Sequence, residues 1–152
     1  MDENLSRADI IATYKDDVLS LTPFLPWLKS KAGESISHNY KNDEKDSDVI
    51  SFPVYDSQVF SLIKAINKTK FVNRNYVYTY STYRMNSVQD ELRVIPTVGT
   101  MNIKVLGDIL SKYAIKGQSK AGIWNEGVSE GVFYAVIKRL AEVVDLHDNQ
   151  IV

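Results

Sequence analysis

A chain of 152 residues, 44% hydrophobic and 24% charged, carries enough apolar material for one domain with a sizeable core and too little for two. It contains no cysteine, which excludes a disulfide framework, a thiol nucleophile and a cysteine-held zinc or iron–sulfur centre, and points to a cytoplasmic protein. No apolar run nears the roughly 20 residues that span a bilayer, Met1-Asp2-Glu3 opens no signal peptide, and a formal net charge of −1 gives no bulk attraction to nucleic acid or lipid, so no membrane partner is expected.

Residues 1–152 read as a single domain with 1–5 and 146–152 as frayed tails. From Ser6, apolar residues at Ile10, Ile11, Tyr14, Val18 and Leu19 to Leu21 fall on a helical period, with Ser6 or Asp9 as the cap. Pro23 and Pro26 then interrupt it, and Thr22 to Lys31 is expected to form a turn and a short helix whose Phe24 and Trp27 close over the core. Residues 35–40 alternate like a half-buried strand, 41–48 form a charged mobile loop, and Ile50, Phe52 and Val54 alternate again. A β-hairpin is the natural expectation, with Pro53 keeping the second strand at an edge. The four carboxylates of the loop lack the glycine and the ligand spacing of a calcium loop.

Asp56 or Ser57 is expected to cap a helix with Val59, Phe60, Ile63 and Ile66 inward and Lys64 and Lys68 outward. After Phe71-Val72, the run Asn73 to Arg84 holds four alternating or near-alternating tyrosines, Tyr76, Tyr78, Tyr80 and Tyr83. It reads as a short strand passing into a helix near Ser81 that continues toward Arg93, until Pro96 and Gly99 break it. Thr100 then caps a helix bearing Ile103, Leu106, Leu110 and Tyr113, which Gly117 ends in a left-handed residue behind Lys112 and Lys116. Ser119 is expected to start a short helix stopping at Gly127, with Trp124 as its anchor. The last helix places Phe133, Val136, Ile137, Leu140 and Val144 on one face and Lys138, Arg139 and Glu142 on the other.

Several of these pieces resemble a family of bacterial domains of unknown function. They are the step Phe52-Pro53-Val54-Tyr55, the helix leading into Phe71-Val72, the pair Tyr80 and Tyr83, and the segment Gly122 to Leu140. In that segment the small positions Gly122 and Gly131 and the closing Ile137-Lys138-Arg139-Leu140 carry most of the likeness. The resemblance covers Leu21 to Val144 and implies a fold, in a bacterial or phage protein, without an activity. The chain departs from the family where tyrosines stand in place of tryptophans, and where Lys116, Gln118 and Ser119 stand in place of arginines.

Catalytic signatures are sparse. His38 and His147 have no partner at metal-ligand spacing, no glycine-lysine phosphate loop occurs, and no cofactor or metal is implied. Carboxylates could still meet in space as acid and base, Glu126 with Glu130 or Asp90 with Glu91, although Glu130 also suits the dipole of the helix it precedes. The middle of the chain is more distinctive. Between Lys64 and Lys120 stand ten cations (Lys64, Lys68, Lys70, Arg74, Arg84, Arg93, Lys104, Lys112, Lys116, Lys120) and three anions (Asp90, Glu91, Asp108). Arg74, Tyr78, Tyr80, Tyr83, Arg84, Lys116, Lys120 and Trp124 are the candidate binding residues, because tyrosine with arginine is what protein interfaces use as anchors, and cations with stacking rings also suit single-stranded nucleic acid.

The expected fold is α+β and mostly helical, a small antiparallel sheet laid on a C-terminal helical cluster. The expected function is a non-enzymatic module binding another protein or itself. Nucleic-acid binding through 64–120 is the alternative, and a carboxylate-dependent enzyme ranks last.

Overall fold

Helix α6, Lys104–Lys116, is buried almost all round, and such a helix belongs at the centre of a fold. Every residue from Val105 to Ser111 is shielded, together with Tyr113 and Ala114. A computed structural model of the chain describes residues 6–32, 37–39, 53–55, 57–120 and 122–145. Around α6 it places α3 (Ser57–Asn67), α4 (Tyr76–Thr82), α7 (Ile123–Ser129) and α8 (Val132–Val143). Outside α8 lie α1 (Arg7–Leu21), α2 (Leu25–Lys31) and α5 (Val88–Val94). The expected tails 1–5 and 146–152, the charged loop 41–48 and His147 lie outside the described residues.

The termini of the bundle follow from capping chemistry. Ser6 Oγ accepts the Asp9 N–H at 3.1 Å while the Asp9 carboxylate accepts the Ser6 N–H at 3.3 Å, a reciprocal pair that satisfies two otherwise orphaned donors of α1. The Arg7 guanidinium then donates to both oxygens of Asp145, at 2.9 and 2.7 Å, joining the start of α1 to the end of α8. In α8, Val132, Phe133, Val136, Ile137, Leu140 and Ala141 are buried, as its sequence period requires. Thr100 is no helix cap. Its hydroxyl donates to the Val143 carbonyl at 2.6 Å, and a 3-10 turn, Thr100–Asn102, separates it from α6.

The α+β expectation is corrected: the fold is a helical bundle. Of the strand expected at 35–40 and its partner at Ile50 to Val54, residues 35–36, 40 and 50–52 lie outside the described residues, and the rest add no sheet layer to the bundle. Among the described residues the pairing is three residues long, Ser37 opposite Tyr55, His38 opposite Val54 and Asn39 opposite Pro53. The described core side chains all come from helices and the turns between them. Alternation over a few residues specifies a strand only when a sheet face is there to receive it, and here helices fill that position.

Three local expectations also change. Residues 76–82 form a helix rather than a strand, and Arg84, at φ 57°, ends that segment before Ser87 caps α5 by accepting the Asp90 N–H at 3.2 Å. Phe60 points outward, 51% exposed, and Leu62 takes its place in the core. Gly127 lies inside α7, and the left-handed glycines among the described residues are Gly122 and Gly131, at φ 92° and 78°, each immediately ahead of a helix.

Gly117 ends α6 in right-handed conformation, φ −66°, so its small size answers a different need. The Trp124 indole lies flat against it and donates through Nε1 to the Tyr113 carbonyl at 3.0 Å. A methyl group at residue 117 would occupy the space of the indole ring. Gly117→Ala is therefore expected to displace Trp124 and to cost about 1–3 kcal/mol in chemical denaturation. In a Trp27→Phe background, the native fluorescence of Trp124 should move to the red as its ring leaves α6.

Candidate functional site

Helix α4 has no fully buried residue, and Tyr80 packs only partly against the core. Two carboxylates add to its hold on the bundle. Thr79 Oγ1 donates to Asp108 Oδ2 at 2.5 Å, and Tyr80 Oη donates to Glu91 Oε2 at 2.6 Å. Hydrogen bonds to charged acceptors are each worth roughly 1.5–3 kcal/mol, comparable to burying one aliphatic side chain.

Glu91 is completely buried, in α5, and is met by three donors, of which Lys112 is the charged one. Besides Tyr80, it accepts Tyr113 Oη on Oε1 at 2.5 Å and Lys112 Nζ on Oε2 at 2.7 Å. The Lys112 ammonium also sits 4.6 Å from the centre of the Tyr113 ring and 5.3 Å from that of Tyr80, so both rings face its charge. Its side chain remains 16% exposed, which gives the pair one route to water. The phenols of Tyr80 and Tyr113 are both pushed well above the usual tyrosine value, first by burial and then by the Glu91 carboxylate that each would have to face as a phenolate.

Asp108 is the second anchor. Its Oδ1 accepts Asn73 Nδ2 at 2.9 Å, and one turn on, Ser111 Oγ accepts the Asn73 N–H at 2.9 Å. The segment leading into α4 is thereby tied to α6 at Asn73 before the helix begins. Asp108, Lys112 and Lys116 follow one another at intervals of four, on the stripe of α6 that meets α4.

With its inner side fixed, α4 turns the rest outward. Tyr78 is 73% exposed and Val77 59% exposed, and Arg74 and Arg84, at the two ends, are also exposed. Of the sequence candidates, Arg74, Tyr78 and Arg84 are thus exposed on α4 and at its two ends. Tyr80 is half-buried and committed to Glu91, and Tyr83 is half-buried against the core. Tyr76 stands edge-on to Tyr80 with centroids 6.2 Å apart. Lys116 and Lys120 are exposed at the far end of α6. Trp124 belongs elsewhere: it is held by Tyr113 and Gly117 of α6 and meets Phe60 of α3 edge-on at 5.6 Å.

Among the described residues, Lys70 lies 3.5 Å from Asp17, Arg93 3.2 Å from Asp90, and Lys112 2.7 Å from Glu91. Asp90 and Glu91 belong to the same stretch, so of these pairings only that with Asp17 brings in a negative charge from outside it. Asp108 and Ser111 escaped the sequence reading, although polar residues inside the otherwise apolar Val105-Leu106-Gly107-Asp108-Ile109-Leu110-Ser111 were a visible sign. Of the carboxylates singled out as acid–base candidates, Glu91 is an occupied acceptor, Asp90 is the first-turn residue that also accepts the Asn86 N–H at 2.8 Å, and Glu130 is exposed.

Comparison with protein-family models, curated proteins and solved structures finds no match for this chain.

Glu91→Gln removes the charge that Lys112 faces and is expected to destabilise the fold by about 3 kcal/mol, the lower end of the cost of breaking a buried pair because Lys112 can reach water. Urea unfolding of that variant beside Glu91→Asp checks this. A second expectation concerns alkaline pH. Since the folded phenols bind their protons more tightly than the unfolded ones, stability is complete below about pH 10, the unfolded value, and falls as pH rises beyond it. The decline should reach up to about 1.4 kcal/mol per pH unit for each phenol, and a Tyr80→Phe, Tyr113→Phe double variant should show a shallower slope.

Proposed function

We propose that the protein is a non-enzymatic interaction module of the cytoplasm that binds another protein, or a second copy of itself, through the outward face of α4. One observation carries the reading: a helix fixed from beneath by two buried carboxylates leaves Val77 and Tyr78 bare to solvent between Arg74 and Arg84. Rigid aromatic and apolar anchors flanked by arginine give affinity at low entropic cost, which is the chemistry of interface hot spots. The cysteine-free composition supports the cytoplasmic setting. No helix among the described residues is long and apolar enough to cross a membrane.

Nucleic-acid binding is the second reading, favoured by the exposed Arg74, Arg84, Lys116 and Lys120. It has less support, since Tyr80 and Tyr83 turn toward the bundle and one ring of the candidate set, Tyr78, remains broadly open for stacking. An acid–base role for Glu91 gains nothing from the geometry, because both its oxygens already accept donors.

Replacing Tyr78 by a photo-crosslinking phenylalanine analogue tests the proposal in cells of the source organism. Adducts of discrete mass are expected from residue 78 and not from the exposed Lys64 of α3, and they should vanish when Val77→Asp is added. Equal labelling from both positions would remove the α4 face as the binding surface. For the second reading, single-stranded DNA and RNA are titrated at two salt concentrations. The interaction-module reading expects no salt-dependent binding, and a steep salt dependence that Arg74→Ala and Arg84→Ala reduce would replace it.

A further inference from the structure

We propose that the cleft between α1, the turn 70–73 and the first turns of α6 binds a small carboxylic acid carrying an adjacent amino or hydroxyl group. The cleft encloses about 300 Å³ and is lined by Tyr14, Lys70, Phe71, Asn73, Lys104 and Asp108. That volume is at the small end of ligand sites, so the occupant is a compact metabolite rather than a nucleotide.

The charges in the cleft are arranged for a ligand of two signs. Lys70 is committed: its ammonium lies 3.5 Å from Asp17 and donates to the Thr13 carbonyl at 3.2 Å. Lys104 is exposed and has no ion-pair partner among the described residues, although Asp108 stands four residues along the same helix. The two charges line the same cleft with no ion pair recorded between them among the described residues, and a carboxylate between the lysines would find the Lys104 ammonium available. Asp108 is 5% exposed, and each of its oxygens accepts one donor, from Asn73 and from Thr79. A carboxylate has about four acceptor sites, so those two bonds orient Asp108 and leave it able to take a further N–H or O–H. The Tyr14 and Phe71 rings, stacked with centroids 4.7 Å apart, form the apolar wall against which the carbon skeleton rests.

The arrangement therefore recognises a carboxylate at Lys104 and a neighbouring donor at Asp108. A simple anion would meet the Asp108 charge with nothing to offer it. This site is separate from the exposed face of α4, and its test does not depend on that face.

The test uses the full chain and four probes, L-serine, lactate, acetate and inorganic phosphate, followed by amide chemical shifts of Asn73 and Asp108. Saturable shifts with serine or lactate are expected, with acetate at least about tenfold weaker because it lacks the donor that Asp108 would accept. Lys104→Met should abolish binding and Lys104→Arg should restore part of it. Since Lys104 is exposed, both variants are expected to keep the wild-type circular dichroism and melting temperature. Three results would each overturn the proposal: no saturable shift with serine or lactate, acetate or phosphate binding as tightly as they do, or undiminished binding by a folded Lys104→Met variant.

Discussion

A carboxylate withdrawn completely from water must be matched by donors, and Glu91 is matched by three that come from two other helices. That requirement fixes more than its own position. Tyr113 and Lys112 set the rotation of α6 relative to α5, and Tyr80 sets where α4 lies. Apolar contacts alone are tolerant of small rotations, whereas a buried charge accepting from two phenols and an ammonium is satisfied in one arrangement. The position of the exposed tyrosine and arginines on α4 is thus a consequence of chemistry on its hidden side.

The same logic repeats a turn away, at lower burial. Asp108 accepts from Thr79 and Asn73, and Ser111 accepts the Asn73 backbone, so the segment 73–79 is gripped at both ends by α6. A seven-residue helix is too short to be stable alone in water. Held in this way, it can present Val77 and Tyr78 outward while Tyr80 alone of its tyrosines bonds a buried carboxylate among the described residues. The central helix consequently has two duties, packing through Leu106, Ile109, Leu110 and Tyr113 and anchoring through Asp108 and Lys112.

Trp124 shows how a candidate residue changes meaning once its surroundings are known. Sequence alone leaves a choice between an anchor and a stacking platform. Its indole N–H is bonded to the Tyr113 carbonyl and its ring covers Gly117, so it fastens α7 to the end of α6. Phe60, which the helical period assigned to the core, is instead its edge-on neighbour at the surface. A spacing of three or four residues defines a stripe about 100° wide, and residues at its margin go whichever way the neighbouring helix leaves room.

Periodicity and capping residues by themselves determined α1 with its start narrowed to Ser6 or Asp9, the buried face of α8, and most of the buried stripe of α6, because 3.6-residue repeats and short-range hydrogen bonds are local properties. They also determined that residues 74–84 would be unusual, without deciding their form. Only the tertiary structure decided that the tyrosine run is a helix, that Tyr80 faces in while Tyr78 faces out, and that the molecule is a bundle rather than α+β. The physical reason is the same in each case. Those outcomes depend on the bonds by which Asp108 accepts Thr79 and Glu91 accepts Tyr80 and Lys112, which span 11 to 29 residues of sequence, so no local pattern records them.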